Sequence, residues 1–463
     1  MLIHIDALGP SGPYRARERK PLISLAGARI GEISQVPPLY VRRTLAAMRA
    51  APVLPAADRL SALDKAAEAF LHGTVAGLDP DGFAGLVSTA SGVPLAVVRQ
   101  SVEWVADVLR SQRFTRELAM PRGAVDEWHA PQTLDGAAVW TRKGDIFAVH
   151  AAGNTPAVHG LWPEALALGY KVAVRPSTRE PFTAFRLVSA LREAGFPPDV
   201  VTLLPTDYSA ADVIIAESDF AIVYGGQDVV DKYATNSRVL TQGPGRSKIL
   251  LTGEVDWRTK IDLLAASVSH LGGTACTCAT AILVEGDPEP VAEALAERLR
   301  AIPSLPADHP DAILTVGPTE SAREVDRYLH AVAGDARAIL GGDTIVDELP
   351  GGGAVLRPSV HLVTSSAAPQ LDIELGFPCV WVGPWRAEDG VAPLRNSLVL
   401  TAMTTRAELI DALLDEPSIT NLYLGDNPTT WLRPGVPHDG YLGEHLMRTK
   451  GMIRSATSVA TAR

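Results

Sequence analysis

A chain of 463 residues is too long for one compact hydrophobic core, so two or three domains are expected. Its 46% apolar and 21% charged residues are an ordinary enzyme composition. A net charge of −11 argues against a nucleic-acid partner, whose phosphates call for a basic surface. No run of 18 apolar residues predicts a membrane span, and Met1-Leu-Ile-His-Ile-Asp6 lacks the basic start and long apolar core of a secretory leader. Three cysteines do not make a disulfide framework, so a cytoplasmic protein with reduced thiols is expected.

Residues 1 to about 50 are rich in Pro and Arg. Their basic cluster, Arg15, Arg17, Arg19 and Lys20, reads as a solvated face or a subunit contact. Over 56–72 and 94–118 the apolar residues recur at helical spacing, which predicts amphipathic helices and an N-terminal helical region, 1–135. A regular alternation then begins. Strands are predicted at 144–150, 171–176, 200–205 and 220–225, with helices at 159–168, 183–194, 210–217 and 227–233. Strands rich in β-branched residues alternating with short helices build right-handed crossovers and a parallel sheet, here a domain over 136–260. Ligands of such sheets bind at the carboxyl ends of the strands, where Asn154, Arg175 and Gly225-Gly226 fall. No GxGxxG follows any strand, so residue pattern alone leaves the cofactor open.

The stretch Ser267-Val-Ser-His-Leu-Gly-Gly-Thr-Ala-Cys276-Thr-Cys278-Ala-Thr280 holds two of the three cysteines. An apolar segment, 261–268, runs into Gly272-Gly273, and a glycine pair lets backbone come close to a ligand. The plain alternative is that Cys276 is a buried small hydrophobe. No metal site is expected, because one residue separates Cys276 from Cys278 and no second Cys/His pair follows at ligand spacing. A second alternating set comes next. Strands at 281–285, 312–316, 336–340, 354–363, 379–382 and 396–401, with helices at 290–301, 319–332 and 406–415, predict a catalytic α/β domain over 261–425. The segment 426–463, with its Gly, Pro and aromatic residues, reads as a C-terminal return and oligomer contact rather than as a site.

Taken together, these pieces resemble the aldehyde dehydrogenase superfamily from about residue 140 onward. Gly153-Asn154-Thr-Pro156 is similar to the family's Asn-Xaa-Pro loop, whose Asn amide shares an oxyanion hole with the backbone N–H of the nucleophilic Cys. Gly272-Gly273-Thr274-Ala275-Cys276 resembles the family's Gly-Gln-Xaa-Cys and aligns Cys276, not Cys278, with that nucleophile. Lys171-Val-Ala-Val-Arg175-Pro-Ser177 and Glu193-Ala-Gly-Phe-Pro-Pro-Asp-Val200 resemble the adenosine-binding segment. Arg357-Pro-Ser-Val360, with Glu374 and Pro378, resembles the stretch that contacts the nicotinamide ribose. The resemblance implies an aldehyde dehydrogenase-like fold, with two doubly wound parallel-sheet domains and a small oligomerisation element. It also implies a homodimer or homotetramer. Gly225, Gly226, Ser177 and Glu374 become candidate cofactor contacts.

Two departures sharpen the expectation. Gln242-Gly-Pro-Gly245 falls where hydrolytic relatives have Glu-Leu-Gly-Gly, whose Glu activates water, and an amide has no basic site near neutral pH. With the Tyr224-Gly225-Gly226 turn, Gln242 resembles the acyl-CoA reductase branch, in which a thioester supplies the acyl group and hydride reduces it. The plain alternative is that Gln242 is a structural amide and another acid takes the role. At the adenosine segment, Arg175 replaces a usual Lys, and Thr178 replaces a Glu that contacts ribose hydroxyls in NAD-dependent relatives. Losing that carboxylate near Arg175 and Arg179 favours the 2′-phosphate of NADP, with NAD as the alternative. The expected activity is therefore NADPH-dependent reduction of an acyl-CoA or carrier-protein thioester to an aldehyde through Cys276, Asn154 and Gln242. Hydrolytic oxidation of an aldehyde to an acid is the rival, and retention of Asn154 and Cys276 counts against a catalytically silent partner subunit.

Overall fold

Two seven-stranded sheets organise the chain in the computed structural model, which describes residues 2–455. Residues 456–463, the end of the segment read as an oligomer contact, lie outside the described residues. The first sheet holds β1 (Ala7–Gly9), β2 (Gly12–Tyr14), β3 (Ile146–His150), β4 (Lys171–Arg175), β5 (Val201–Leu203), β6 (Phe220–Tyr224) and β7 (Val239–Gln242). Its order is β7-β6-β3-β4-β5-β1-β2, parallel from β7 to β5 and antiparallel across β1 and β2. All five residues of β3 are buried, as expected of a parallel strand with helices on both faces.

The second sheet holds β8 (Ser247–Leu251), β9 (Ala279–Glu285), β10 (Arg337–Leu340), β11 (Ser359–Leu362), β12 (Cys379–Trp385), β13 (Ser397–Met403) and β14 (Ile419–Leu424). Its order is β10-β11-β12-β9-β8-β13-β14, parallel except for the antiparallel edge strand β10. Two parallel α/β sheets are thus present, as the family resemblance implies.

Several elements differ from the sequence-based expectation. Residues 3–34, placed by the sequence in the helical region 1–135, instead form five strands, and two of them extend the first sheet. The predicted strand 312–316 shrinks to Val316–Gly317 in a separate three-stranded sheet. The predicted strand 354–363 splits at Arg357-Pro358 into Ala354–Leu356 and β11, which lie in different sheets, because proline cannot donate to a ladder. The tail returns as a strand, Met447–Met452, antiparallel to Ala137–Arg142. Among the described residues no single helix is long and apolar enough to cross a membrane.

One connection positions the site. Gln242-Gly-Pro-Gly-Arg246 leaves the edge of the first sheet at β7 and enters β8, which lies between β9 and β13 in the second. Gly245 approaches β9 so closely that a Cβ there would overlap the carbonyl of Cys276. Gly273, at φ +72°, is packed just as tightly against Pro378 N, so it must be glycine on two counts. Gly273→Ala should therefore lower the free energy of urea unfolding by more than about 1 kcal/mol. Gly85→Ala, in the helix Pro80–Ser91 with open space around the position, should be neutral or stabilise by up to about 1 kcal/mol. Equal effects of the two substitutions would contradict this account of the loop.

Candidate active site

The Cys276 loop is built by a break in helical geometry. The helix Ile261–Ser269 passes into a short 3-10 turn, and Leu271, Gly272 and Gly273 then take left-handed φ angles of 48°, 71° and 72°. For Leu271 that conformation costs about 1–2 kcal/mol, which the surrounding packing must offset. The turn delivers Thr274-Ala275-Cys276 to the start of β9. It is fixed by Thr274 Oγ1 donating to Leu271 O at 2.8 Å and Ser247 Oγ donating to Cys276 O at 3.0 Å.

The three thiols stand in different surroundings. Cys276 is partly exposed and lines a cavity of about 1010 Å³. Cys278 is buried, donates to His270 O at 3.2 Å, and is pushed far up by burial. Cys379 lies inside β12, where burial pushes its thiol up to about 12. Only a thiolate is a competent nucleophile, so Cys278 and Cys379 are inert.

Asn154 reaches the same loop from the carboxyl end of β3. Its Nδ2 donates to Thr274 O at 3.1 Å, two residues before the thiol. That bond uses one amide hydrogen and leaves the second for an oxyanion. Gln242 ends β7 opposite Tyr224 in the ladder and lines the cavity, and its carbonyl accepts from Gly225 N at 3.1 Å. Tyr224 Oη donates to Val158 O at 2.9 Å, and burial holds the phenol far above its usual range.

The structure adds a pair that sequence pattern did not single out. His438 Nε2 lies 3.7 Å from Cys276 Sγ, and His438 Nδ1 lies 2.8 Å from Asp439 Oδ2. Burial alone would push the imidazole down. The hydrogen bond that His438 donates to Asp439 and the contact with Cys276 outweigh it and hold His438 well above its ordinary value. Asn421, from β14, donates to the carbonyls of His438 and, at 2.9 Å, of Leu398, which pins the segment over the thiol. The segment read as an oligomer contact thus supplies a wall of the site. The signal in the sequence was a His-Asp pair between Pro437 and Gly440, separated from Cys276 by 162 positions.

The candidate cofactor residues divide into two groups. Gly225, Gly226, Arg179 and Glu374 line the cavity with Cys276, whereas Arg175, Ser177 and Thr178 are not on its wall. Glu374 Oε2 accepts from Arg246 N at 2.7 Å, and burial pushes the carboxyl up to about 7 against that bond. Both arginines are engaged by the protein itself. Arg175 Nε donates to Thr206 Oγ1 at 3.2 Å, and Arg179 Nη2 donates to Ser91 O at 3.0 Å. Ser177 Oγ accepts from Arg179 N at 3.1 Å, and Thr178 is exposed. Among the described residues no cluster of three metal-ligating side chains occurs.

Native-state treatment with iodoacetamide should label Cys276 and spare Cys278 and Cys379, as read by peptide mass. Labelling of Cys278 ahead of Cys276 would displace the nucleophile by two residues and overturn the assignment.

Comparisons with known proteins identify the family and the fold. The aldehyde dehydrogenase family profile matches residues 39–399. An aldehyde-dehydrogenase-like protein of Sinorhizobium fredii is 24% identical over 388 residues, spanning 80% of this chain and 72% of that one. Geranial dehydrogenase of Castellaniella defragrans is 26% identical over 325 residues, spanning 67% of this chain and 66% of that one. An NAD-dependent aldehyde dehydrogenase from Sinorhizobium meliloti superposes with a TM-score of 0.81 at 19% identity, covering 100% of this chain and 96% of that one. KauB, an aldehyde dehydrogenase from Pseudomonas aeruginosa, does so with a TM-score of 0.82 at 18% identity, covering 98% and 97%. With a family profile matched over most of its length and the fold shared throughout, the chain belongs to the aldehyde dehydrogenase family of oxidoreductases.

Proposed function

We propose that this enzyme reduces an acyl thioester, carried by CoA or by a carrier protein, to an aldehyde with NADPH. The observation that carries the reading is Gln242. It lines the cavity that holds Cys276, and by the family resemblance it stands where hydrolytic members have a glutamate. An amide can orient water but cannot deprotonate it, and a positioned base typically contributes about 10²–10⁴-fold to such a step. An acyl-enzyme on Cys276 would then persist until it meets hydride. The cavity wall carries Trp104, Val108, Leu161 and Leu432, which suits an apolar acyl group.

The residues present fit a nicotinamide dinucleotide. The carboxyl ends of the parallel strands β3 and β6 open into the cavity, and the Glu374 carboxyl beside them is an acceptor for ribose hydroxyls. Bound there, the dinucleotide supplies the hydride. Cys276 thiolate attacks the thioester carbonyl, while the Asn154 amide and the Cys276 N–H hold the oxyanion, worth about 2.7–4 kcal/mol per donor. The preference for NADPH is supported by the exposed Thr178, which puts no carboxylate near a 2′-phosphate. The internal bonds of Arg175 and Arg179 make Thr178 the larger part of that argument.

A second reading, oxidation of an aldehyde to a free acid, is favoured by one observation. His438, 3.7 Å from the thiol, is a base that Gln242 is not. Product analysis separates the two. The purified enzyme with NADPH and acyl-CoA should give aldehyde and free CoA, and Cys276→Ala should abolish this. Gln242→Glu should raise hydrolysis of acyl-CoA without NADPH and divert turnover toward acid. If the unmutated enzyme oxidises aldehydes to free acids with NAD(P)⁺ and no thiol acceptor, at rates matching reduction, the hydrolytic reading wins. Asn154→Ala should lower the chemical step by roughly 10²–10³. A loss under about threefold, with chemistry limiting, removes Asn154 from the mechanism. Thr178→Glu should move kcat/KM toward NADH, by repulsion between the new carboxylate and the 2′-phosphate. A higher kcat/KM for NADH in the unmutated enzyme overturns the cofactor preference.

A further inference from the structure

We infer that His438, oriented by Asp439, is the acid–base catalyst of this site: it keeps Cys276 as a thiolate and returns the proton to the thiol that leaves. The geometry sets the roles. Asp439 Oδ2 accepts a hydrogen bond from Nδ1–H at 2.8 Å, and Nε2 is the nitrogen that faces Cys276 Sγ at 3.7 Å. Proton transfer from S–H to Nε2 leaves an imidazolium between two anions, the thiolate and the Asp439 carboxylate. An ordinary thiol is only a few per cent ionised near neutral pH, and an adjacent imidazolium is the kind of neighbour that raises that fraction.

The dyad is held rather than loose. The Asn421 amide grips the His438 carbonyl from β14, Tyr441 Oη donates to Gly435 O at 3.0 Å, and Tyr423 Oη donates to Trp431 O at 2.9 Å. Two titratable groups act on the imidazole, Asp439 from its own segment and Cys276 from the loop before β9, and Tyr224 of β6 lies within the field of both. Tyr224 stays neutral because it is buried, so it does not compete for the proton.

The proton cycle balances. Cys276 thiolate bonds to the carbonyl carbon, the bond from that carbon to the carrier thiol breaks, and the His438 imidazolium protonates the departing sulfur. With hydride supplied by a bound nicotinamide dinucleotide, the acyl-enzyme would become a thiohemiacetal anion, which would collapse to aldehyde and expel Cys276 thiolate. One proton from solvent restores the imidazolium, so each turnover consumes one hydride and one proton. The leaving-thiol role rests on the thioester reading, while the ion pair with Cys276 does not.

The test needs neither substrate nor cofactor. Alkylation of Cys276 by iodoacetamide, followed by peptide mass from pH 5 to 10, should show a midpoint well below the ordinary thiol value of about 8.5 in the unmutated enzyme. His438→Ala should slow alkylation at pH 6.5 by at least about tenfold and move the midpoint up toward that value. Asp439→Asn should move it part of the way, a change that a purely structural role would not produce. Free imidazole should restore part of the low-pH reactivity of His438→Ala. Circular dichroism checks the fold, and His438→Gln serves if His438→Ala does not fold. An unchanged midpoint in a folded His438 variant overturns the inference. With the midpoint shift in hand, single-turnover release of CoA without NADPH should slow by about 10²–10⁴ in the same variant. Release that is fast in both proteins overturns the leaving-thiol role, whereas no release from the unmutated enzyme counts against the thioester reading alone.

Discussion

The contact on which the site depends is between two backbones. Gly245, in the connection from β7 to β8, lies against the carbonyl of Cys276, and Ser247 Oγ donates to the same oxygen at 3.0 Å. This is where the chain passes from one sheet to the other. The next residue, Arg246, sits at φ +47°, with its N–H taken by Glu374 and its Nε donating to Asp372 O at 2.9 Å. A side chain at 245 would push the start of β8 away from the turn before β9 and move the thiol with it. The cavity therefore inherits its shape from an inter-sheet join rather than from either sheet alone.

That join explains how distant residues converge. Asn154 comes from the end of β3, Gln242 from the end of β7, Cys276 from the turn before β9, and His438 from the return beyond β14. In each case a strand end or a pinned loop does the positioning, as is usual when ligands bind at the carboxyl ends of parallel strands. Asn154 and Thr274 link the two halves directly, and Asn421 ties the return segment to β13 through Leu398 O. Losing any one of these links would spare most of the core and still misplace the chemistry.

The parts of the fold with strong periodicity could be read in advance. The strands at 146–150, 171–175 and 220–224 carry continuous apolar runs that leave little choice of element. β8 could not be read, because Lys248 interrupts its apolar run. That lysine is fully buried, yet it is satisfied by Asp372 at 2.9 Å and Arg395 O at 2.6 Å, partners 124 and 147 positions away. β7 is a four-residue edge strand running into Gly-Pro-Gly, too short for a period. Within the cavity wall, Cys276, Asn154 and Gln242 could be singled out because each sits in a motif with fixed neighbours. His438 has no such neighbours. Its meaning comes from a residue 162 positions earlier, and loop composition pointed to a contact surface instead.

Placing the base on the return segment rather than on the inter-sheet connection has a chemical consequence. The family resemblance implies that hydrolytic members carry on this connection a carboxylate that activates water. Here the same position carries an amide, while the titratable nitrogen approaches the sulfur itself from the segment that also forms part of the cavity wall. A base in contact with the nucleophile acts first on the thiol and on whatever leaves from the bonded carbon. It acts on water only if water can enter between imidazole and acyl group. An apolar acyl chain against Trp104, Val108 and Leu432 would fill that space, so occupancy of the cavity and suppression of hydrolysis would become one property. On this reading a short acyl group, which leaves the wall wet, should lose more of its turnover to acid than a long one. The ratio of acid to aldehyde, followed across acyl-CoAs of increasing length with NADPH saturating, is the measurement that checks it. A ratio independent of chain length would place the control of water elsewhere, with Gln242 alone.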